Sequence, residues 1–288
     1  MEAFAPVVSW VQLKPLAAAW KQGEPAVSLS LDLNLTQSSA HLSADGLHLE
    51  AGLLPWNAIQ DVLDDENGCF ELLPAAADGR LKPDKIQAFS QSTRRHCSLY
   101  PTERSAPTLL IAGFPMHRIK NTDPMQDTRS KIRAADPRGT MLDTSMGLGY
   151  TAIEAAKRAQ HVITLELDPA VMQVAGRNPW SRDLFARPNI ERRLGDSAEL
   201  IDEFDDESFD RILHDPPTLA LAGDLYSGAY YRELFRLLKR GGRLFHYIGD
   251  LNSPSGARTS RGVIERLGAA GFRNVSKRPE AFGVIGFK

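Results

Sequence analysis

The sequence has little cysteine and little net charge. Its 288 residues contain only two cysteines, Cys69 and Cys97, too few and too far apart for a disulfide framework or a zinc site. No other metal site is predicted. Lysine and arginine number 34 against 36 aspartates and glutamates, a formal net charge of −2. Proteins that bind the phosphates of nucleic acids usually carry a large excess of basic over acidic residues. The net charge therefore does not support a nucleic acid partner, although it does not exclude one.

The sequence also lacks long apolar runs. No stretch approaches the roughly 20 apolar residues that a membrane span needs. The amino terminus, Met1-Glu-Ala-Phe-Ala-Pro6, has no basic segment ahead of an apolar run. We therefore expect a soluble, cytoplasmic protein with no membrane partner. With 42% hydrophobic residues, the chain is long enough for a large domain and an appendage, each with its own core.

The first 120 residues predict mostly antiparallel β-structure. Apolar and polar residues alternate with period two over 27–35 and over 41–49, the second stretch around an Asp45-Gly46 turn. A short helix is expected at 55–63, with further strands at 69–73 and 107–112. These patterns predict a small, β-rich N-terminal domain over residues 1–120.

From residue 121 onward, strands and helices alternate. Such alternation predicts a parallel sheet with helices on both faces. Because no helix separates the last two strands, one of them is expected to run antiparallel. The second predicted domain, α/β in class, spans residues 121–288. The predicted strands lie at 140–143, 161–166, 190–194, 209–214, 243–248, 273–277 and 281–287, and the helices at 127–135, from 151, from 169, at 228–239 before a Gly241-Gly242 cap, and at 258–269.

A glycine-containing loop joins the strand at 140–143 to the helix from 151. It reads Asp143-Thr-Ser-Met-Gly147-Leu-Gly149-Tyr150. Glycines let the main chain approach a ligand, and a helix N-terminus offers free N–H donors. Two glycines behind a carboxylate suit a ligand that carries an ammonium group better than a pyrophosphate. An ordinary turn without a ligand is the alternative.

Acidic residues lie at the end of the second predicted strand and just after the third. Glu166 ends its strand about 20 residues after the glycines, where a carboxylate can accept hydrogen bonds from a ribose diol. Asp168 is expected to cap the next helix, with Pro169 at the first helical position. Asp196 follows the third strand, and an N-cap of a short helix is one role for it.

The fourth strand runs directly into Asp215-Pro216-Pro217-Thr218. Two prolines fix the backbone and direct carbonyl groups away from a strand ladder. Such a turn can hold oxygen acceptors against an NH₂ group or a ring nitrogen; the alternative is that the prolines only end the strand. His214 and His246 are candidates for accepting a proton, since imidazole titrates near neutral pH. A structural role for His246 within its strand is the alternative.

Two of these motifs resemble those of a known superfamily. The stretch 141–149 resembles the first motif of class I S-adenosylmethionine-dependent methyltransferases. Asp215-Pro-Pro resembles the (Asp/Asn/Ser)-Pro-Pro-(aromatic) motif of members that methylate planar nitrogens in nucleobases or glutamine side chains, although Thr218 replaces the aromatic residue. The resemblance implies a Rossmann-like seven-stranded sheet, with Asp196 accepting from the adenine amine. It implies that S-adenosylmethionine is held by Asp143, Gly147, Gly149, Tyr150, Glu166 and Asp196, and that Asp215, Pro216, Pro217 and His214 form the catalytic side.

A polar segment, Met116-His117-Arg118, precedes the α/β domain. These residues are candidates for contacting the cofactor carboxylate or an anionic substrate, Arg118 through a bidentate fork. A linker with solvated charges is the alternative. The series from Met116 to Tyr247 resembles a poorly characterised group of archaeal and bacterial predicted methyltransferases, which supplies no substrate.

A second resemblance is to spermidine and spermine synthases, over 215–242 with Asp224, Tyr226 and Tyr230-Tyr231. Those aminopropyltransferases use the same fold, a decarboxylated S-adenosylmethionine and a β-rich N-terminal domain. One feature opposes this second resemblance. The glutamine expected after the fifth strand of those enzymes is absent, and this chain has His246-Tyr-Ile-Gly-Asp250 there. Tyr226 and His246 are candidate substrate contacts.

We expect methyl transfer to a nitrogen acceptor, either a small-molecule amine or a nucleobase. Aminopropyl transfer and a non-catalytic nucleotide- or RNA-binding module are the alternatives. Assembly as a homodimer is left open by the sequence.

Overall fold

The computed structural model describes residues 5–75, 79–219 and 222–288. Residues 1–4, which form most of the amino-terminal stretch considered above, lie outside the described residues. The chain divides into two compact units, residues 1–124 with 173–182 and residues 125–172 with 183–288. Within the described ranges, no helix is long and apolar enough to cross a bilayer.

In the part of the first unit that the structure describes, three small sheets form, and their neighbouring strands pair antiparallel. Their orders are β1-β6-β7, β2-β3-β4-β5 and β11-β10-β9-β8. Leu47, Leu54 and Val62 are fully buried in its core. The elements are β1 (Val7–Ser9), α1 (Trp10–Leu13), α2 (Leu16–Lys21), β2 (Ala26–Leu29), β3 (Ser38–Ser43), β4 (Gly46–Leu49), β5 (Gly52–Pro55), α3 (Trp56–Leu63), β6 (Cys69–Pro74), β7 (Leu81–Lys85), β8 (Gln87–Phe89), β9 (His96–Tyr100), β10 (Thr108–Ile111) and β11 (Phe114–Pro115).

One predicted strand of this unit is shorter than expected. The alternation over 27–35 predicts a strand to residue 35, but β2 ends at Leu29. Asp32 accepts hydrogen bonds from the backbone N–H and the hydroxyl of Thr36, at 2.8 and 2.6 Å. Leu33 and Asn34 consequently lie in a tight turn with positive φ. The side chain of Asp32 thus competes with the strand for the backbone of this segment.

The second unit is built on a seven-stranded sheet of order β14-β13-β12-β15-β16-β18-β17. The first five strands pair parallel, and β18 runs antiparallel to both of its neighbours. This is the Rossmann-like α/β sheet that the sequence predicts, including the closing antiparallel strand. From residue 124 the elements are α4 (Pro124–Ala135), β12 (Thr140–Asp143), α5 (Tyr150–Ala156), β13 (His161–Glu166), α6 (Pro169–Gly176), α7 (Arg182–Ala186), β14 (Ile190–Leu194), α8 (Ser197–Leu200), β15 (Phe209–His214), α9 (Gly228–Leu237), β16 (Leu238–Tyr247), α10 (Pro254–Ala269), β17 (Arg273–Arg278) and β18 (Gly283–Phe287).

The glycine pair Gly241-Gly242 does not cap a helix. The sequence predicts a helix to residue 239, but α9 ends at Leu237 and Leu238 already has an extended conformation. Gly241 has φ +76° and lies inside β16, where the pairing with β15 changes register. The predicted helix end was therefore wrong, and the glycines form an irregularity in the strand. Helix α10 also begins earlier than predicted, at Pro254 behind the N-cap Ser253.

Strand β12 lies between β13 and β15, so the order of the sheet reverses beside it. Ligands of open α/β sheets bind at such a reversal, outside the carboxyl ends of the strands. The carboxyl ends of these three strands are Asp143, Glu166 and His214. The fold therefore brings three of the sequence-predicted residues to one edge of the sheet.

Candidate active site

The two glycines of the loop before α5 have different surroundings. Both lie in the left-handed region, Gly147 at φ +54° and Gly149 at φ +76°. A Cβ added to Gly147 would meet no atom within 4 Å, whereas one added to Gly149 would lie 2.5 Å from Cδ2 of Leu184. Gly149 therefore permits close packing, and Gly147 borders open space that a ligand can use.

Asp143 is fully buried at the end of β12. Its Oδ2 accepts hydrogen bonds from the hydroxyls of Thr151 at 2.8 Å and Thr164 at 3.2 Å. Burial raises the pKa of Asp143 to about 7; the nearby charge of Asp215 adds to the rise and the Thr151 hydrogen bond opposes it. A cation beside this carboxyl would favour its ionised form.

Glu166 connects β13 to the glycine loop. Its Oε2 accepts from the N–H of Gly147 at 2.9 Å, and its Oε1 accepts from the N–H of Asp168 at 3.0 Å. Burial raises its pKa to about 7 in spite of these two hydrogen bonds. The open space at Gly147 thus lies beside a desolvated carboxyl group.

These features fit an adenosyl sulfonium cofactor. The space at Gly147, the two desolvated carboxyl groups Asp143 and Glu166, and the start of α5 together suit a ligand with cationic centres and hydroxyl donors. Tyr150, a predicted cofactor contact, is the first residue of α5 and is buried. The contact of each residue with the cofactor stays a prediction.

Two further acids cap helices. Asp168 accepts from the N–H of Ala170 at 2.9 Å ahead of α6, as the sequence predicts. Asp196 is the N-cap of α8, and its Oδ1 accepts from the N–H of Ala198 at 2.8 Å. The N-cap role of Asp196 is therefore observed, and its contact with adenine stays a prediction.

The Asp-Pro-Pro turn follows β15 and is held by side chains from other elements. Oδ2 of Asp215 lies 2.6 Å from Nζ of Lys131. Oδ1 of Asp215 has no hydrogen-bond partner among the residues that the structure describes, and the side chain is 20% exposed. Burial raises the pKa of Asp215, against the effect of Lys131. The hydroxyl of Tyr226, a predicted substrate contact, instead donates to the carbonyl of Pro217 at 3.1 Å.

Lys131 was not predicted from the sequence. It lies on α4 with its side chain 3% exposed, and its Nζ is 3.0 Å from Oδ2 of Asp127 and 4.2 Å from the ring centre of Tyr247. Burial alone would lower its pKa, but Asp215 and Asp127 outweigh burial and raise it. The i,i+4 spacing of Asp127 and Lys131 on a predicted helix was a visible signal, whereas the partner 84 residues away was not.

The two histidines of the site are buried and close together, with ring centres 4.5 Å apart. Nε2 of His214 lies 2.9 Å from the carbonyl of Leu225, which can only accept, so Nε2 carries the hydrogen. Nδ1 therefore accepts from the hydroxyl of Thr144 at 2.7 Å. Burial lowers the pKa of His214 to about 4. This geometry favours a structural role for His214 and does not favour proton acceptance.

His246 has a similar environment. Its Nε2 pairs with the hydroxyl of Tyr231 at 2.9 Å, and burial holds its pKa well below the ordinary value. Its ring lies 5.1 Å from that of Tyr226. The predicted contact of His246 with substrate is therefore not favoured by its fully buried position.

The remaining predicted residues, Met116, His117 and Arg118, belong to the first unit. The N–H of Met116 donates to the carbonyl of Leu109, and Nδ1 of His117 pairs with the hydroxyl of Thr108 at 2.9 Å. Their contact with cofactor or substrate stays a prediction. Among the described residues, no cluster of histidine, cysteine, aspartate and glutamate could hold a metal ion.

Comparisons with known proteins support a methyltransferase domain. A family model described as a methyltransferase domain matches residues 142–246. The chain is 39% identical over 269 residues to an uncharacterized protein, MJ1233, of Methanocaldococcus jannaschii, over 91% of this chain and 89% of that protein. It is 28% identical over 224 residues to a release factor glutamine methyltransferase of Cereibacter sphaeroides, over 70% of this chain and 78% of that enzyme.

The fold also matches a spermidine synthase from Thermotoga maritima, with a TM-score of 0.54 and 15% identity over 76% of this chain and 74% of that one. At that identity the likeness shows the fold alone. The chain belongs to the class I S-adenosylmethionine-dependent methyltransferases and, within them, to the family of the Methanocaldococcus protein.

Proposed function

We propose that this methyltransferase acts on a nitrogen acceptor. The observation that carries the proposal is the turn after β15, in which Lys131 occupies Oδ2 of Asp215 and leaves Oδ1 as an acceptor. Oδ1 of Asp215 has no partner among the described residues, and Pro216 and Pro217 carry no N–H. An NH₂ group has two hydrogens and can donate to two such oxygens at once.

S-adenosylmethionine supplies, when bound, a methyl group activated by its sulfonium. Gly147, Asp143 and Glu166 would hold it through the open space, the buried carboxyl group of Asp143 and the partly buried one of Glu166. Methyl transfer then needs positioning of the nucleophile more than covalent help from the protein. Oδ1 of Asp215 orients the acceptor nitrogen and takes up the proton that the nitrogen loses. Because burial raises its pKa, Asp215 is a better base than an exposed aspartate.

The chemical kind of nitrogen is the finer part of the proposal. The Cereibacter relative is named as a glutamine methyltransferase, and a side-chain amide is accordingly one acceptor class. Thr218 offers no ring for stacking on a planar group. An aliphatic amine is therefore the second acceptor class to be tested.

The test is transfer of tritium from methyl-labelled S-adenosylmethionine to glutamine-containing peptides, nucleosides and polyamines. Methyl groups on nitrogen survive mild alkali, whereas methyl esters release volatile methanol. We expect an alkali-stable product that Asp215→Ala abolishes, with calorimetric affinity for S-adenosylmethionine retained. An alkali-labile product, or undiminished turnover by Asp215→Ala, would overturn the proposal.

Calorimetric titration with both cofactors tests the aminopropyl alternative. We expect the protein to prefer S-adenosylmethionine over its decarboxylated form. Preference for the decarboxylated form, together with conversion of putrescine to spermidine, would replace methyl transfer by aminopropyl transfer. Binding of neither compound would favour a non-catalytic module.

A further inference from the structure

We propose that Lys131 is a positioning residue for methyl transfer, because its ammonium group fixes Oδ2 of Asp215 and leaves Oδ1 for the acceptor. The inference rests on the proposed function, in which Asp215 binds the acceptor nitrogen. Lys131 itself is assigned no contact with substrate. It acts through the carboxylate that it holds.

The contacts of Lys131 account for its buried charge. An ammonium group removed from water is costly unless its donors are matched by anions or other acceptors. Nζ lies 2.6 Å from Asp215 and 3.0 Å from Asp127, and the ring of Tyr247 covers it at 4.2 Å. Helix α4 supplies both Lys131 and Asp127, so one rigid element sets the position of the ammonium group.

The carboxylate of Asp127 is important when the charge of Asp215 changes. If Asp215 takes up a proton during turnover, Lys131 loses one of its counter-charges while it remains buried. Asp127, 1% exposed and one helical turn before Lys131, still balances the ammonium group. The Asp127–Lys131 pair therefore lets Asp215 change its protonation state without leaving an unpaired buried cation. A single Lys131–Asp215 pair would resist that change.

The charged and titratable groups around Asp215 come from several elements. Lys131 and Asp127 lie on α4, Asp143 ends β12, Tyr247 ends β16, and Tyr226 precedes α9. Lys131 lowers the pKa of Asp215 and Asp127 raises it. Lys131→Met and Asp127→Asn should therefore move the titration of Asp215 in opposite directions.

The experiment uses the full chain labelled with carbon-13 at the aspartate carboxyl carbons, with the Asp215 resonance assigned by Asp215→Asn. We expect its titration midpoint to rise by about one pH unit or more in Lys131→Met and to fall in Asp127→Asn. Lys131→Arg, which keeps the charge, should leave the midpoint closer to that of the wild type. Unchanged midpoints, or shifts of one sign in both variants, would overturn the inference.

Activity supplies a separate readout. In the tritium transfer assay, Lys131→Met should lose about 100-fold in kcat, as expected for a misplaced acceptor contact, with its affinity for S-adenosylmethionine unchanged. If Lys131→Met does not fold, Asp127→Asn and Lys131→Arg carry the same test. An alkali-labile product with the expected titration shifts would refute the nitrogen acceptor alone. An alkali-stable product with unmoved titration would refute the role of Lys131 alone.

Discussion

Alanine at each of the two glycines in the loop before α5 is expected to affect the protein differently, one variant mainly in stability and the other mainly in cofactor binding. Alanine in the left-handed region costs about 1–2 kcal/mol, and both positions incur this cost. At Gly149 the new Cβ would also lie 2.5 Å from Cδ2 of Leu184, a side chain that is fully buried. Overpacking of this kind costs a further 1–3 kcal/mol or so. Gly149→Ala should therefore lower the free energy of unfolding by about 2–5 kcal/mol and Gly147→Ala by only about 1–2 kcal/mol.

Cofactor binding should show a different dependence on the two glycines. The methyl group of Gly147→Ala enters the open space beside Glu166, so its affinity for S-adenosylmethionine should fall about tenfold or more, equivalent to about 1.4 kcal/mol. Urea unfolding measures stability, and calorimetry measures affinity. In the Leu184→Ala background, the cost of Gly149→Ala should fall to the backbone value alone. Equal destabilisation by both glycine variants, or full affinity in Gly147→Ala, would refute the separate assignments.

Three further predictions concern the titratable groups. Since the pKa values of Asp143 and Glu166 are raised to about 7, binding of the cationic cofactor at pH 7 should release protons from these carboxyl groups. The release is measured as a dependence of the calorimetric binding enthalpy on the buffer, and its persistence at about pH 9 would contradict the prediction. The pKa of His214 is lowered to about 4, so as the pH falls the imidazole of His214 takes up a proton in the unfolded chain before it does so in the folded one. The contribution of His214 to stability should therefore fall by about 2 kcal/mol from pH 7 to pH 5. Urea unfolding of His214→Gln should lack that component, and an identical pH dependence would argue against it. Thr144→Val removes the donor to Nδ1 of His214 and should cost about 1–3 kcal/mol in the same assay, whereas a neutral change would indicate that the buried imidazole has another partner.

The sheet of the second unit was accessible from the sequence because its strands and helices alternate with clear periodicity. The prediction failed where a side chain or a glycine overrode the local pattern. Asp32 ends a strand early because its side chain accepts a hydrogen bond from the backbone of Thr36. Gly241, which the sequence predicts to cap a helix, lies inside β16. Both errors arose from hydrogen bonds or pairing that periodicity does not encode.

The candidate site was accessible only in part. Asp143 and Glu166 end their strands and Asp215 follows one, so their position at one edge of the sheet was predictable from the order of the elements. Lys131 reaches that edge from a helix, and its contact with Asp215 depends on packing between elements distant in sequence. The histidines were assigned from their ordinary pKa, and the sequence could not show that burial lowers it.

Residues 173–182 belong to the first unit although they follow part of the second unit in the sequence, which affects how the chain folds as it is synthesised. Arg177 binds Glu71 and Asp84, and Nε1 of Trp180 donates to the carbonyl of Leu33. The first unit lacks these partners until residue 182 has emerged, about 60 residues after residue 124. At about 5–20 residues per second, that is a delay of about 3–12 s. Part of the second unit is thus synthesised before the first can be completed, so neither unit corresponds to one uninterrupted stretch of the gene.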